Sequence, residues 1–181
     1  MADLLPDDYI QVPMLVSADC RDFITHINAI GNTLGSQTLV TRTIDNKPIK
    51  FAFSAAPTDP VALVDQMSTV PRNASVFLFV TSSSNSKDLK NWVILWFFGE
   101  FSNIFMKRKD LVKAKHRTPT ILVVTPKGGA YKAKSAEILA KIDAVDMVEY
   151  DSATGDGISE ILESIYKVSS WNFTKKSNYC F

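Results

Sequence analysis

A chain of 181 residues has the length of one domain, at roughly 100 to 200 residues each, and can bury a core without metal or disulfide help. Its 46% apolar and 22% charged residues exclude disorder, collagen-like repeats and a coiled-coil rod. The net charge is +1, and the densest basic run, Met106-Lys-Arg-Lys109, is too short to track a phosphate backbone, so neither nucleic acid nor a membrane surface is an expected partner.

In chain order, residues 10–16 are a short apolar run followed by Ser17-Ala18-Asp19, after which Phe23, Ile24, Ile27 and Ile30 recur at helical spacing until Gly31. This reads as strand, tight loop and helix, with Asp19 as the helix cap and Asp22 at the third helical position. Residues 37–44 alternate and are rich in Thr and Val, Asp45-Asn-Lys-Pro48 is turn chemistry, and 49–53 resume as strand. Together they predict an antiparallel hairpin. Asp59 then caps a helix over 59–69 with Pro60 at its first position.

Residues 75–81, with Val-Phe-Leu-Phe-Val at their centre, predict a strand buried on both faces, which hands over through the polar loop 82–86 to a helix over 88–108. Another buried strand over 120–124, a helix over 131–143 and a last strand over 147–150 follow. Ile158, Ile161, Leu162 and Ile165 mark a closing amphipathic helix from 157 to about 168. The tail 169–181 has no clear period.

This order predicts a three-layer α/β fold, a mostly parallel six-stranded sheet with one antiparallel edge strand and helices on both faces. The expected division is an extension at 1–8, the domain at 9–168 and the tail at 169–181. Sheets of this kind bind ligands outside the carboxyl ends of their strands, so the loops after Val16, Phe53, Thr81, Val124 and Tyr150 are where a site belongs.

The order, with its single hairpin, resembles the small GTPase superfamily across residues 9–168. The best local match is Ser152-Ala-Thr-Gly-Asp-Gly-Ile158, which looks like that family's guanine-contacting Ser-Ala loop in its Arf-type form, although Thr-Gly-Asp-Gly is also ordinary turn and capping chemistry. Where the family carries Asn-Lys-x-Asp, this chain has Thr125-Pro126-Lys127-Gly128-Gly129. Lys127 stands in register, but Pro126 and Gly129 replace the Asn and the base-reading Asp. Hydrogen bonds to a charged group contribute roughly 1.5 to 3 kcal/mol each, so guanine selectivity is expected to be lost.

The phosphate cradle fares no better. It needs Gly-x-x-x-x-Gly-Lys-Ser/Thr after the first strand, whereas Ser17-Ala-Asp-Cys-Arg-Asp-Phe23 has no Gly and no Lys. Its two carboxylates lie where the helix dipole would otherwise attract phosphate, and Arg21 is one cation against them. At the end of the third strand, Ser54 replaces the family's metal-ordering Asp and Pro57 its Gly. Thr33 lies in a connection, 31–36, that is short for a nucleotide-sensing switch.

The resemblance therefore implies a degenerate pseudo-GTPase, with no catalytic residue, metal or cofactor, whose fold serves as a scaffold subunit for protein partners in a larger complex. Lys127, Ser152 and Ala153 would be its remnant nucleotide site. The alternative is an atypical GTPase that binds nucleotide weakly and lacks normal hydrolysis. An enzyme on an unrelated three-layer fold has no constellation to support it: His26 and His116 are the only histidines, and no Gly-x-Ser-x-Gly elbow is present. A phosphoacceptor receiver would use Asp19, Asp22 and Lys127 but needs an Asp where Ser54 stands.

The helix over 88–108 carries seven consecutive apolar residues from Trp92 to Phe98, which cover its whole circumference. Two readings remain open: the tail, with Trp171, folds back over it, or Trp92, Trp96, Phe97, Phe98, Phe101, Phe105 and Trp171 form a partner interface. Glu100 and Asn103 make the segment too polar for a membrane span. Cys20 and Cys180, near opposite ends, give neither a disulfide framework nor zinc spacing. The N-terminus has no signal-peptide pattern, Ala2 excludes myristoylation, and Cys180 is misplaced for prenylation. A cytoplasmic or nuclear location without a stable membrane anchor is the expectation.

Overall fold

Seven strands and two helices are present among the described residues of the computed structural model, which covers 8–17, 20–55, 74–82, 119–125 and 144–177, with 171–177 described by backbone alone. The elements are β1 (Ile10–Val16), α1 (Arg21–Ile30), β2 (Asn32–Leu34), β3 (Gln37–Ile44), β4 (Lys47–Ala55), β5 (Phe77–Ser82), β6 (Thr120–Thr125), β7 (Ala144–Glu149) and α2 (Ile158–Ser177). The strands form one sheet in the order β2-β3-β4-β1-β5-β6-β7. From β4 to β7 every neighbouring pair is parallel, whereas β2–β3 and β3–β4 are antiparallel. The chain is therefore an α/β protein with a mostly parallel sheet and an antiparallel edge.

The sheet has seven strands rather than six because the short connection after α1 is itself a strand. Asn32, Thr33 and Leu34 pair with Leu39, Thr38 and Gln37 around the two-residue turn Gly35-Ser36, where Gly35 takes φ +60° at the first central position of a type II′-like turn. The β3–β4 hairpin turns on Asp45 (φ +52°) and Asn46 (φ +60°), the signature of type I′. Lys47 and Pro48, expected in the turn, belong to β4. Pro48 fits there because it faces Thr43, one step from the Ile44–Lys47 pair flanking the turn. In a two-residue hairpin that position exchanges no hydrogen bonds, and β1 reaches β4 only from Phe51 onward, so the missing N–H costs no ladder bond.

Period-two alternation sorts the inner strands onto two faces. Val12, Met14 and Val16 of β1, Phe51 and Phe53 of β4, Leu78 and Val80 of β5, and Ile121 and Val123 of β6 enter one cluster with Phe23 and Ile27 of α1 and Ile161, Leu162 and Ile165 of α2. The two described helices thus share a face. Leu15, Ala52, Phe77, Phe79, Leu122 and Val124 alternate with these residues and are buried as well, so both faces of the sheet are covered, as parallel inner strands require. The helices expected over 59–69, 88–108 and 131–143 lie outside the described residues.

Several boundaries differ from expectation. Helix α1 begins at Arg21 with Cys20 in the cap position and no side-chain cap bond, so Asp22 is the second helical residue and Asp19 lies outside the described residues. It ends at Gly31 in extended backbone, φ −126°, for want of space: a Cβ there would lie 2.7 Å from the Leu39 carbonyl oxygen. Helix α2 continues past Val168 to Ser177. Neither Gly nor Pro interrupts it, and the hydroxyls of Ser169 and Ser170 donate to the Tyr166 carbonyl at 2.9 and 2.7 Å, which absorbs polar residues into the helix. Strand β7 starts at Ala144 and carries a one-residue bulge at Val145, between the pairs Thr120–Ala144 and Ile121–Asp146.

Candidate functional site

In an open α/β sheet the ligand crevice lies at the carboxyl ends of the strands where the chain reverses its direction of travel. Here that point falls between β1 and β5, because β1 leads toward β2–β4 and β5 leads toward β6 and β7. Ser17 N–H donates to the Val80 carbonyl at 2.9 Å, extending the β1–β5 ladder beyond Val16, and Cys20 N–H donates to the Ser17 carbonyl at 2.9 Å. That turn leads directly into α1.

Cys20 occupies the space above the strand ends. Ser17 Oγ donates to its Sγ at 3.3 Å, and Sγ lies 3.6 Å from Thr125 Oγ1, so one side chain bridges the ends of β1 and β6 across β5. Ser17, Cys20, Ser82 and Thr125 are all buried, Cys20 at 1% exposure. A phosphate cradle requires outward-facing backbone N–H groups at this place. The described residues instead supply a packed thiol–hydroxyl cluster, with Asp22 in the first turn of α1.

The second loop of interest follows β7. Tyr150 N–H continues the sheet by donating to the Val124 carbonyl at 2.8 Å, and the chain then folds on itself. Asp151 Oδ1 accepts the N–H groups of Ala153 at 2.8 Å and Thr154 at 3.3 Å. Asp151 N–H donates to the Asp156 carbonyl at 2.9 Å, and Gly155 N–H returns to the Asp151 carbonyl at 2.8 Å. This is an Asx turn inside a closed loop. Gly157 completes it at φ +100°, where any Cβ would come within 2.3 Å of the Glu149 carbonyl oxygen, so only glycine fits.

The loop is fastened to α1. Tyr150 OH hydrogen-bonds His26 Nδ1, its ring meets Phe23 edge-on with centroids 5.1 Å apart, and a Cβ on Gly155 would be 3.3 Å from His26 Nδ1. Burial, reinforced by the nearby Asp22, Cys20 and Asp151, pushes the Tyr150 pKa up to about 12. Tyr150 therefore remains a neutral hydroxyl at physiological pH.

Of the residues expected to bind nucleotide, Ser152 is half-buried and Ala153 exposed in this loop, and the Ala153 N–H is engaged by Asp151. Lys127 lies outside the described residues, as do Trp92, Trp96, Phe97, Phe98, Phe101 and Phe105. Trp171 falls within the backbone of α2. Sequence reasoning passed over Cys20, Asp151 and the His26–Tyr150 pair. An Asp two residues before Ala153 was a readable Asx-turn signal, whereas nothing local marks the other three.

Between β7 and α2 a groove is lined by Asp146, Glu149, Asp151, Asp156, Glu160 and Glu163, with Lys167 among them. Asp146 ties the strand to α2, its Oδ1 accepting Met147 N–H at 2.8 Å and its Oδ2 accepting the Ser164 hydroxyl. Together with the bulge, that carboxylate blunts an edge strand. Among the described residues no helix is long and apolar enough to cross a membrane, and no group of three or more His, Cys, Asp or Glu is placed to hold a metal ion. No protein-family model and no curated protein matches the chain.

Proposed function

We propose that this chain is a non-catalytic, GTPase-like domain that acts as a scaffold, holding protein partners together in an intracellular complex. The observation that carries the reading is Cys20, buried and bridging Ser17 and Thr125 at the position a nucleotide's phosphates would need. The mostly parallel sheet with the antiparallel β3–β4 pair set beside β1 supports the GTPase-like part, from which the added β2–β3 hairpin departs. Self-satisfaction of the Ser152–Ala153 loop by Asp151 supports the loss of base recognition. The partner surface in this reading comprises Trp92, Trp96, Phe97, Phe98, Phe101, Phe105 and Trp171, because a run of large aromatic residues supplies the anchors that dominate interface energy.

Nucleotide content and affinity test the proposal. Protein purified under native conditions is denatured and the released material resolved by anion exchange; fresh protein is then titrated with a fluorescent GTP analogue and Mg²⁺. Neither released nucleotide nor saturable binding is expected. Micromolar or tighter binding, about −8 kcal/mol or better, overturns the scaffold reading and makes Lys127 and Ser152 the first positions to mutate.

A further inference from the structure

We draw no further inference here: the strongest candidate, the acidic groove of about 590 Å³ between β7 and α2, is a cluster of carboxylates with no second feature that points to a ligand, its central Asp146 being already engaged by Ser164 and the Met147 N–H.

Discussion

Replacing Tyr150 with Phe removes one hydroxyl from a ring that is 1% exposed and leaves its edge-on contact with Phe23 intact. At neutral pH the loss is the hydrogen bond to His26, about 1 kcal/mol net, or a fall in Tm of about 2–4 °C for a chain of this length. Alkaline pH reverses the ranking. Burial first, then Asp22, Cys20 and Asp151, hold the phenol at about 12 against an ordinary 10.0, so between those values the folded chain keeps a proton that the unfolded chain releases. The stability linked to this group is fully present below pH 10 and is lost as pH rises toward 12, about 3 kcal/mol in total. Tyr150→Phe escapes that loss. It should be less stable than the parent at neutral pH and more stable above about pH 11. Urea denaturation followed by tryptophan fluorescence, from neutral pH to about 11.5, measures both arms. Parallel stability curves for the two proteins across the whole range would refute the reasoning.

The same contact makes His26→Ala and Tyr150→Phe non-additive: a double-mutant cycle should return a coupling of about 0.5–1.5 kcal/mol, and strict additivity would mean that α1 and the last loop are not joined through this bond. Gly157→Ala combines a positive φ with a clash against Glu149 and should cost at least about 2 kcal/mol, seen as a Tm fall of roughly 4 °C or more. Gly35→Ala, at φ +60° with nothing within 4 Å, should cost only about 1 kcal/mol; equal costs would count against the closed geometry of the 151–157 loop. In a Cys180→Ser background, Cys20 should resist an aromatic disulfide reagent in the folded protein and react fully in urea, because a thiol at 1% exposure is shielded from attack. Rapid labelling of the folded protein would contradict the burial of Cys20 between Ser17 and Thr125.

Strands β1, β5 and β6 were readable because they are inner parallel strands, and inner strands are continuous apolar runs. The β3–β4 hairpin was readable from Thr-rich alternation flanking Asp45-Asn46. Strand β2 was missed although Gly35-Ser36 is a recognised turn pair, since three exposed residues carry no hydrophobic period. The start of β7 was missed for a related reason: Asp146 and the exposed Val145 interrupt the apolar pattern there. Helix α2 outran its apolar stripe because Ser169 and Ser170 bond back to Tyr166, and a stripe of buried residues shows where a helix packs rather than where it stops.

By itself the sequence determined the α/β class, the buried strands β1, β5 and β6 with the β3–β4 hairpin, and the absence of Gly and Lys from the first loop, since each depends on residue type and on neighbours a few positions away. Only the tertiary structure decided what gathers at the ends of β1 and β6. Cys20 and Thr125 are 105 positions apart, and His26 and Tyr150 are 124 apart. Pairs at that separation meet only because β1, β5 and β6 lie side by side in one register and α1 and α2 share a face of the sheet. No local pattern of charge or hydropathy encodes such a meeting; it follows from the packing of the whole sheet.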